Sequence, residues 1–411
     1  MQRGDAKPVG GPRIVGLDQA RAIALIAMLW AHSSDAWRAR LSWPWLHGTG
    51  SMLLERFATP AFVTIFGLTL GAVRWSPRGA DAVGRVRARM LRRAGILLAC
   101  TVVGALPNWV ALAVEGGTAP VDYLFVSYSI LEFYALAVLT LAVAGEWLRA
   151  RSLGTCIAIG GLLLLVEQVC ASRLLGSKLD SALLEWLRMI LVSGQYAYLG
   201  LMGWALMMIP LGVHLGRGWR ADRRVRSLWL LVLVGILTTM AGVFLGLEGD
   251  YRLPRTAEGV AQSLVDQLGA RGRPQLWFFM MFGGVAVAAS GLLGLADRIT
   301  PLVSGLLHPL SLLGKNTLAI YISSGLVMPS IFAIRWRWGY GHTRYELMVV
   351  GLFVAFTLAL LWRTERADRR SSARRADARE EPADEAARPE PGPLIAVGEP
   401  LILVGEPGMS L

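Results

Sequence analysis

About ten separate stretches of this chain run apolar for 18 or more residues, the length an α-helix needs to cross ~30 Å of hydrocarbon. In lipid a backbone N–H or C=O finds no water, so each crossing segment must satisfy its own hydrogen bonds and is therefore helical. The pattern predicts an all-α, polytopic membrane protein. Its spans fall near residues 17–37, 52–75, 92–114, 129–148, 153–170, 196–215, 228–247, 276–295, 312–334 and 345–362. Composition agrees, with 54% apolar and only 17% charged residues, against about 25% charged in soluble domains. The shorter stretch 181–193 carries Glu185 and Arg188 and reads as an interfacial or re-entrant helix.

The net charge of +12, from 41 Lys and Arg against 29 Asp and Glu, sits mainly in short loops. The positive-inside rule accounts for it, so the expected partner is the lipid bilayer and no nucleic acid. One side receives Arg85, Arg87, Arg89, Arg92 and Arg93, then Arg149 and Arg151, then Arg217, Arg220, Arg223, Arg224 and Arg226. The other receives sparser, mixed charge: Asp250, Arg252, Glu258 and Asp266. Both termini are thus expected in the cytoplasm, with the chain in the cell (inner or plasma) membrane. Residues 1–16 read as a cytoplasmic N-terminal segment without a cleavable signal, and 17–362 as the transmembrane domain. Residues 363–411, rich in Arg, Ala, Asp and Glu and closing on the repeat Pro393-Leu-Ile-Ala-Val-Gly-Glu and Pro400-Leu-Ile-Leu-Val-Gly-Glu, read as a cytoplasmic disordered tail.

No metal site is expected. Cys100, Cys156 and Cys170 lack CxxC spacing, and His47, His214, His308 and His342 lack HxxxH spacing. Ionisable groups inside spans are costly and are functional candidates by default. They are His32, Glu55, Arg56, Glu132 and Glu167. Glu55 and Arg56 lie near a span mouth and Glu167 near a span end, where water is within reach.

The first span carries the most chemistry. Arg21 and His32 are eleven residues apart; eleven steps of 100° end about 20° past three full turns, so both share one face, roughly 16 Å apart along the axis. Asp35, three residues beyond His32, is placed to accept its ring N–H. A cation at the inner rim suits a donor's phosphate or carboxylate, and a neutral imidazole deeper in suits removal of a proton from an attacking hydroxyl. Glu132, within Ser129-Ile-Leu-Glu132-Phe-Tyr134, is read either as a partner of His32 or Arg56, as a contact for the acceptor, or as a neutral structural acid. The polar stretch 248–273 is read either as a lid over the acceptor or as a plain connector.

These residues fall in a pattern that resembles the acyltransferase-3 family of membrane acyltransferases. Leu17-Asp18 followed by Arg21 and His32 resembles its first-span signature. Pro60-Ala-Phe62-Val-Thr-Ile-Phe66-Gly67 is similar to its second-span motif, Arg89-Met-Leu-Arg92 to its basic loop, and Leu313-Gly314-Lys315-Asn-Thr-Leu-Ala-Ile-Tyr321 to its late-span motif. Phe66 and Ser324 replace the Ser and His of the family pattern, which points to a divergent branch similar to the glucan succinyltransferases. The resemblance implies transfer of an acetyl or succinyl group from cytoplasmic acyl-CoA to a hydroxyl of a cell-envelope glycan or lipid-linked sugar. His32 would be the base with Arg21 as its pair, and Arg89 and Arg92, joined by their neighbours Arg85 and Arg93, would hold the CoA phosphates. No bound cofactor is implied; acetyl-CoA or succinyl-CoA is the donor substrate. A transmembrane N-acetyltransferase of amino sugars is a close relative of this reading. The rivals are a proton-coupled transporter or flippase working through His32 and Glu132, and a non-catalytic relative of the same fold.

Overall fold

The structure is a computed structural model that describes residues 13–38, 49–74, 80–114, 130–174, 184, 187–193, 196–247, 276–324 and 343–380. Ten helices are labelled here: α1 Val15–Arg38, α2 Thr49–Thr69, α3 Ala80–Val114, α4 Ile130–Arg149, α5 Leu153–Leu174, α6 Tyr198–Arg220, α7 Arg224–Leu247, α8 Leu276–Ala296, α9 Pro301–Lys315 and α10 Thr343–Glu380. Among the described residues seven helices are long and apolar enough to cross a membrane: α2, α4, α5, α6, α7, α8 and α10. The chain is an all-helical, multi-pass membrane protein; among the described residues there is no strand.

Residues 1–361 and 362–411 form separate compact units. In the first, α1, α2, α6 and α8 make the centre. The spanning windows of α2, α6 and α8 are each 67% buried, whereas that of α5 is 22% buried, its outward side chains facing the lipid. Small residues let the central helices meet. Gly67 on α2 and Gly71 in the π-helical turn Leu70–Arg74 that follows it lie against the backbone of Ala205 and Ile209, and Gly212 and Gly216 on α6 against Leu68 and Ala72. Each pair is a GxxxG repeat, which allows backbones to approach where no hydrophobic effect draws helices together. Phe278, Phe282, Phe57 and Trp204 pack beside this seam, and Trp204 donates its indole N–H to Thr64 Oγ1 at 2.7 Å.

Helix α9 differs from the span predicted at 312–334. Thr300 caps its start by accepting the Val303 N–H at 3.2 Å, with Pro301 at the first helical position. Asn316 ends it, its N–H reaching the Leu312 and Leu313 carbonyls, before helix resumes at 317–324. The periodicity of hydrophobic residues runs through this break, so the sequence alone did not reveal it. Residues 325–334 lie outside the described residues, as does the proposed lid at 248–273. Of the stretch 181–193, the described part includes a π-helical turn at Met189–Ser193. In the second unit, residues 362–380 are helical, with an Arg369–Glu365 ion pair at 2.6 Å.

Candidate functional site

Helix α1 carries Asp18 in its first turn, where a carboxylate complements the helix dipole. Asp18 Oδ1 accepts from Arg21 Nη1 at 2.9 Å, and Oδ2 from Arg13 Nε at 2.8 Å. The second Arg21 nitrogen, Nη2, donates to Thr69 Oγ1 at 3.1 Å. Thr69 closes α2 where the chain loosens into the π-helical turn Leu70–Arg74, an irregularity frequent at functional sites. Two helices therefore fix the guanidinium plane, at a cost in rotamer freedom that a surface anchor would not bear.

Arg21 opens onto a cavity of about 350 Å³, at the small end of the range for ligand sites. Its charged rim is Arg21, Arg93 and Lys315. Phe62, Phe66, Leu97, Leu131 and Val138 form an apolar throat, and Thr69, Thr317, Tyr134 and Tyr321 supply hydroxyls. The Phe66 ring meets Tyr134 edge-on at 5.2 Å between centroids. Gly314 lets α9 approach α1 so closely that a Cβ there would strike the Asp18 carbonyl.

Polar groups continue beyond the throat. Tyr134 stands within electrostatic reach of Arg21 and Tyr321, and Tyr321 within reach of Tyr196 and Glu132. Tyr196 is hydrogen-bonded to Thr59 and feels Arg56. Farther along α1, Trp30 Nε1 donates to Ser51 Oγ at 3.0 Å, and Ser51 donates to Glu55 at 3.3 Å.

The predicted site residues divide. Arg21 and Arg93 line the cavity, whereas Arg85, Arg89 and Arg92, exposed along α3 as Arg93 also is, do not. Helix α1 is unbroken through His32, which is exposed and does not line the cavity. Glu132 does not line it but stands within electrostatic reach of Tyr321, which does, and the Asp35 side chain lies outside the described residues. Glu167 is buried beside Gly200 and accepts from Gln168 Nε2 at 2.7 Å, on α5 and away from the cavity lining. Sequence reasoning passed over Thr69, Lys315, Tyr134, Thr317 and Tyr321. Lys315 and Tyr321 lay inside the Leu313–Tyr321 motif, so the signal was present but carried no weight without the helix break at Asn316. Among the described residues no three His, Cys, Asp or Glu side chains converge as metal ligands.

The cavity brings three cations, apolar side chains and hydroxyls together inside a helical membrane domain. Residues 13–243 match the family described as heparan-alpha-glucosaminide N-acetyltransferase, catalytic, and the chain belongs to that family. The protein is an acetyltransferase enzyme. No curated protein and no solved structure matches the chain. The family match corrects the acyltransferase-3 resemblance: that reading rested on four short motifs, and a cation at a helix rim, a basic loop and a Gly-containing span recur in many membrane proteins.

Proposed function

We propose that the protein transfers an acetyl group from acetyl-CoA to the amino group of a sugar acceptor, across a ten-span domain at residues 17–362 with both termini cytoplasmic. The observation that carries this reading is the pairing of a triply cationic rim with an apolar throat, the two halves of a CoA thioester. Arg93, Lys315 and Arg21 receive the donor's phosphates, and Arg92, Arg89 and Arg85 extend the positive surface outward along α3. The pantetheine arm enters between Phe62, Phe66 and Leu131. The roughly 16 Å between Arg21 and His32 suits a long, narrow donor.

Outside the Arg21 cavity, toward the exposed His32 on α1, the acceptor nitrogen attacks the thioester carbonyl. His32, oriented by Asp35, takes the proton from that nitrogen, the C–S bond breaks, and sulfur departs as thiolate to be protonated as free CoA. Glu132, acting through Tyr321, positions the acceptor. The hydroxyl acceptor belonged to the acyltransferase-3 resemblance; the family's description, an N-acetyltransferase of a glucosaminide, favours an amine. An envelope glycan or lipid-linked amino sugar fits an acceptor on the opposite side of a cell membrane. Residues 363–411 form a cytoplasmic tail in this reading.

The test is acetyl transfer by purified protein from radiolabelled acetyl-CoA to a methyl α-glucosaminide. Wild type is expected to give an alkali-stable amide product, and His32→Ala to lose about 10²–10⁴-fold, the range for a general base. Undiminished transfer by His32→Ala would remove His32 from the mechanism, and an alkali-labile ester would return the acceptor to a hydroxyl.

A further inference from the structure

A second cavity, of about 890 Å³, lies where α6 turns into α7. The turn is tight: Asp222 adopts a left-handed φ of 54°, and the Arg223 N–H returns to the Gly218 carbonyl at 2.8 Å. It gathers Arg217, Arg223 and Arg226 with His214 in the cavity lining, where the apolar side chains Trp229, Leu230 and Leu233 join them.

Orientation of the remaining charges separates this arrangement from an ordinary basic loop. Asp222 is 90% exposed and pairs with Arg224 at 3.3 Å. Arg224 and Arg298 stack over the Trp219 ring. Among the described residues no ion pair engages Arg217, Arg223 or Arg226. Arg223 and Arg226 flank the start of α7, whose first turn holds no acidic residue, although cations are disfavoured at that end of a helix dipole. Arg217, Arg223 and Arg226 are exposed, and an anion between them offsets the unfavourable placement of cations at the start of α7. The apolar part of the lining is turned outward, with Trp229 58% and Leu233 56% exposed, as suits contact with acyl chains beside a head group.

We propose that this groove is a binding site for an anionic glycerophospholipid: the arginines hold its phosphate, and its acyl chains lie along Trp229, Leu230 and Leu233. None of its lining residues is shared with the Arg21 cavity, so the lipid is distinct from the acetyl donor.

Native mass spectrometry of the full chain, released from bilayers holding equal phosphatidylglycerol and phosphatidylcholine, tests this without reference to acetyl transfer. Wild type is expected to retain phosphatidylglycerol at least fivefold over phosphatidylcholine. Arg223→Gln/Arg226→Gln is expected to lose that preference, and Arg151→Gln, on another basic turn, to keep it. A photoactivatable phosphatidylglycerol on unaltered protein should label residues 214–233. Unchanged preference in the double variant, label confined to other helices, or displacement of the lipid by adenosine 3′,5′-bisphosphate would overturn the proposal, the last by assigning the groove to a nucleotide.

Discussion

Arg21 is held by two helices at once, which its sequence position only hints at. A solvated rim arginine gains little from one carboxylate partner. Here the fork spans Asp18 on its own helix and Thr69 on the next, and it faces a cavity that also holds Arg93 and Lys315. Arg21, already paired with Asp18, makes with Arg93 and Lys315 a basic lining around about 350 Å³ that favours a polyanion. Arg21→Gln removes a charged donor, with an expected loss of about 1.5–3 kcal/mol in donor binding. Steady-state kinetics should show this as a KM for acetyl-CoA raised at least about tenfold with a smaller change in kcat; an unchanged KM would exclude Arg21 from the donor site. Arg21→Lys is expected to fall short of wild type, because a point charge cannot reach Asp18 and Thr69 together. Arg21 was picked out by its spacing to His32, and the structure places Arg21, but not His32, on the cavity. Lys315 and Tyr134 were not picked out, since a cavity is a property of several helices and spacing within one helix reports only that helix's faces.

Among the helices, tolerance to a single methyl group should follow how closely backbones approach. At Gly212 a Cβ would meet the Leu68 carbonyl, and at Gly314 the Asp18 carbonyl, whereas Gly161 on α5 has nothing within 4 Å. Gly212→Ala and Gly314→Ala are expected to destabilise by about 1–3 kcal/mol through overpacking, and Gly161→Ala to be neutral or stabilising by up to about 1 kcal/mol through helix propensity. Thermal unfolding in detergent checks the contrast; equal shifts for Gly161→Ala and Gly212→Ala would show that the seam is not close-packed. Gly314→Ala should also weaken donor binding, because it displaces Asp18, the partner of Arg21. Helices α2, α4, α5, α6, α7 and α8 were readable from hydropathy, which follows from lipid contact along whole spans. The stop of α9 at Asn316 was not, because its cap is a local hydrogen-bond event inside a mostly apolar stretch; the start was signalled by Thr300-Pro301 after the polar Asp297-Arg298 and was passed over.

For the molecule as a whole, the arginine distribution predicts which side each turn faces. Single cysteines at Ser152 and Ala221, introduced into a chain lacking Cys100, Cys156 and Cys170, should react with an impermeant maleimide only after the cytoplasmic face is opened. Labelling of both in intact cells would invert the topology and place the Arg21 cavity away from cytosolic acetyl-CoA. The family was readable only as far as membrane acyl transfer: short motifs preserve a helix face, while the choice between acyltransferase families depends on the whole of residues 13–243. The most direct test of the account is an electron cryomicroscopy structure of the protein with CoA bound. It should show phosphate density against Arg93 and Lys315, with the pantetheine arm passing Phe62, Phe66 and Tyr134 toward the His32 end of α1. CoA density in the groove at Arg217–Leu233, or at the protein surface with the Arg21 cavity empty, would contradict it.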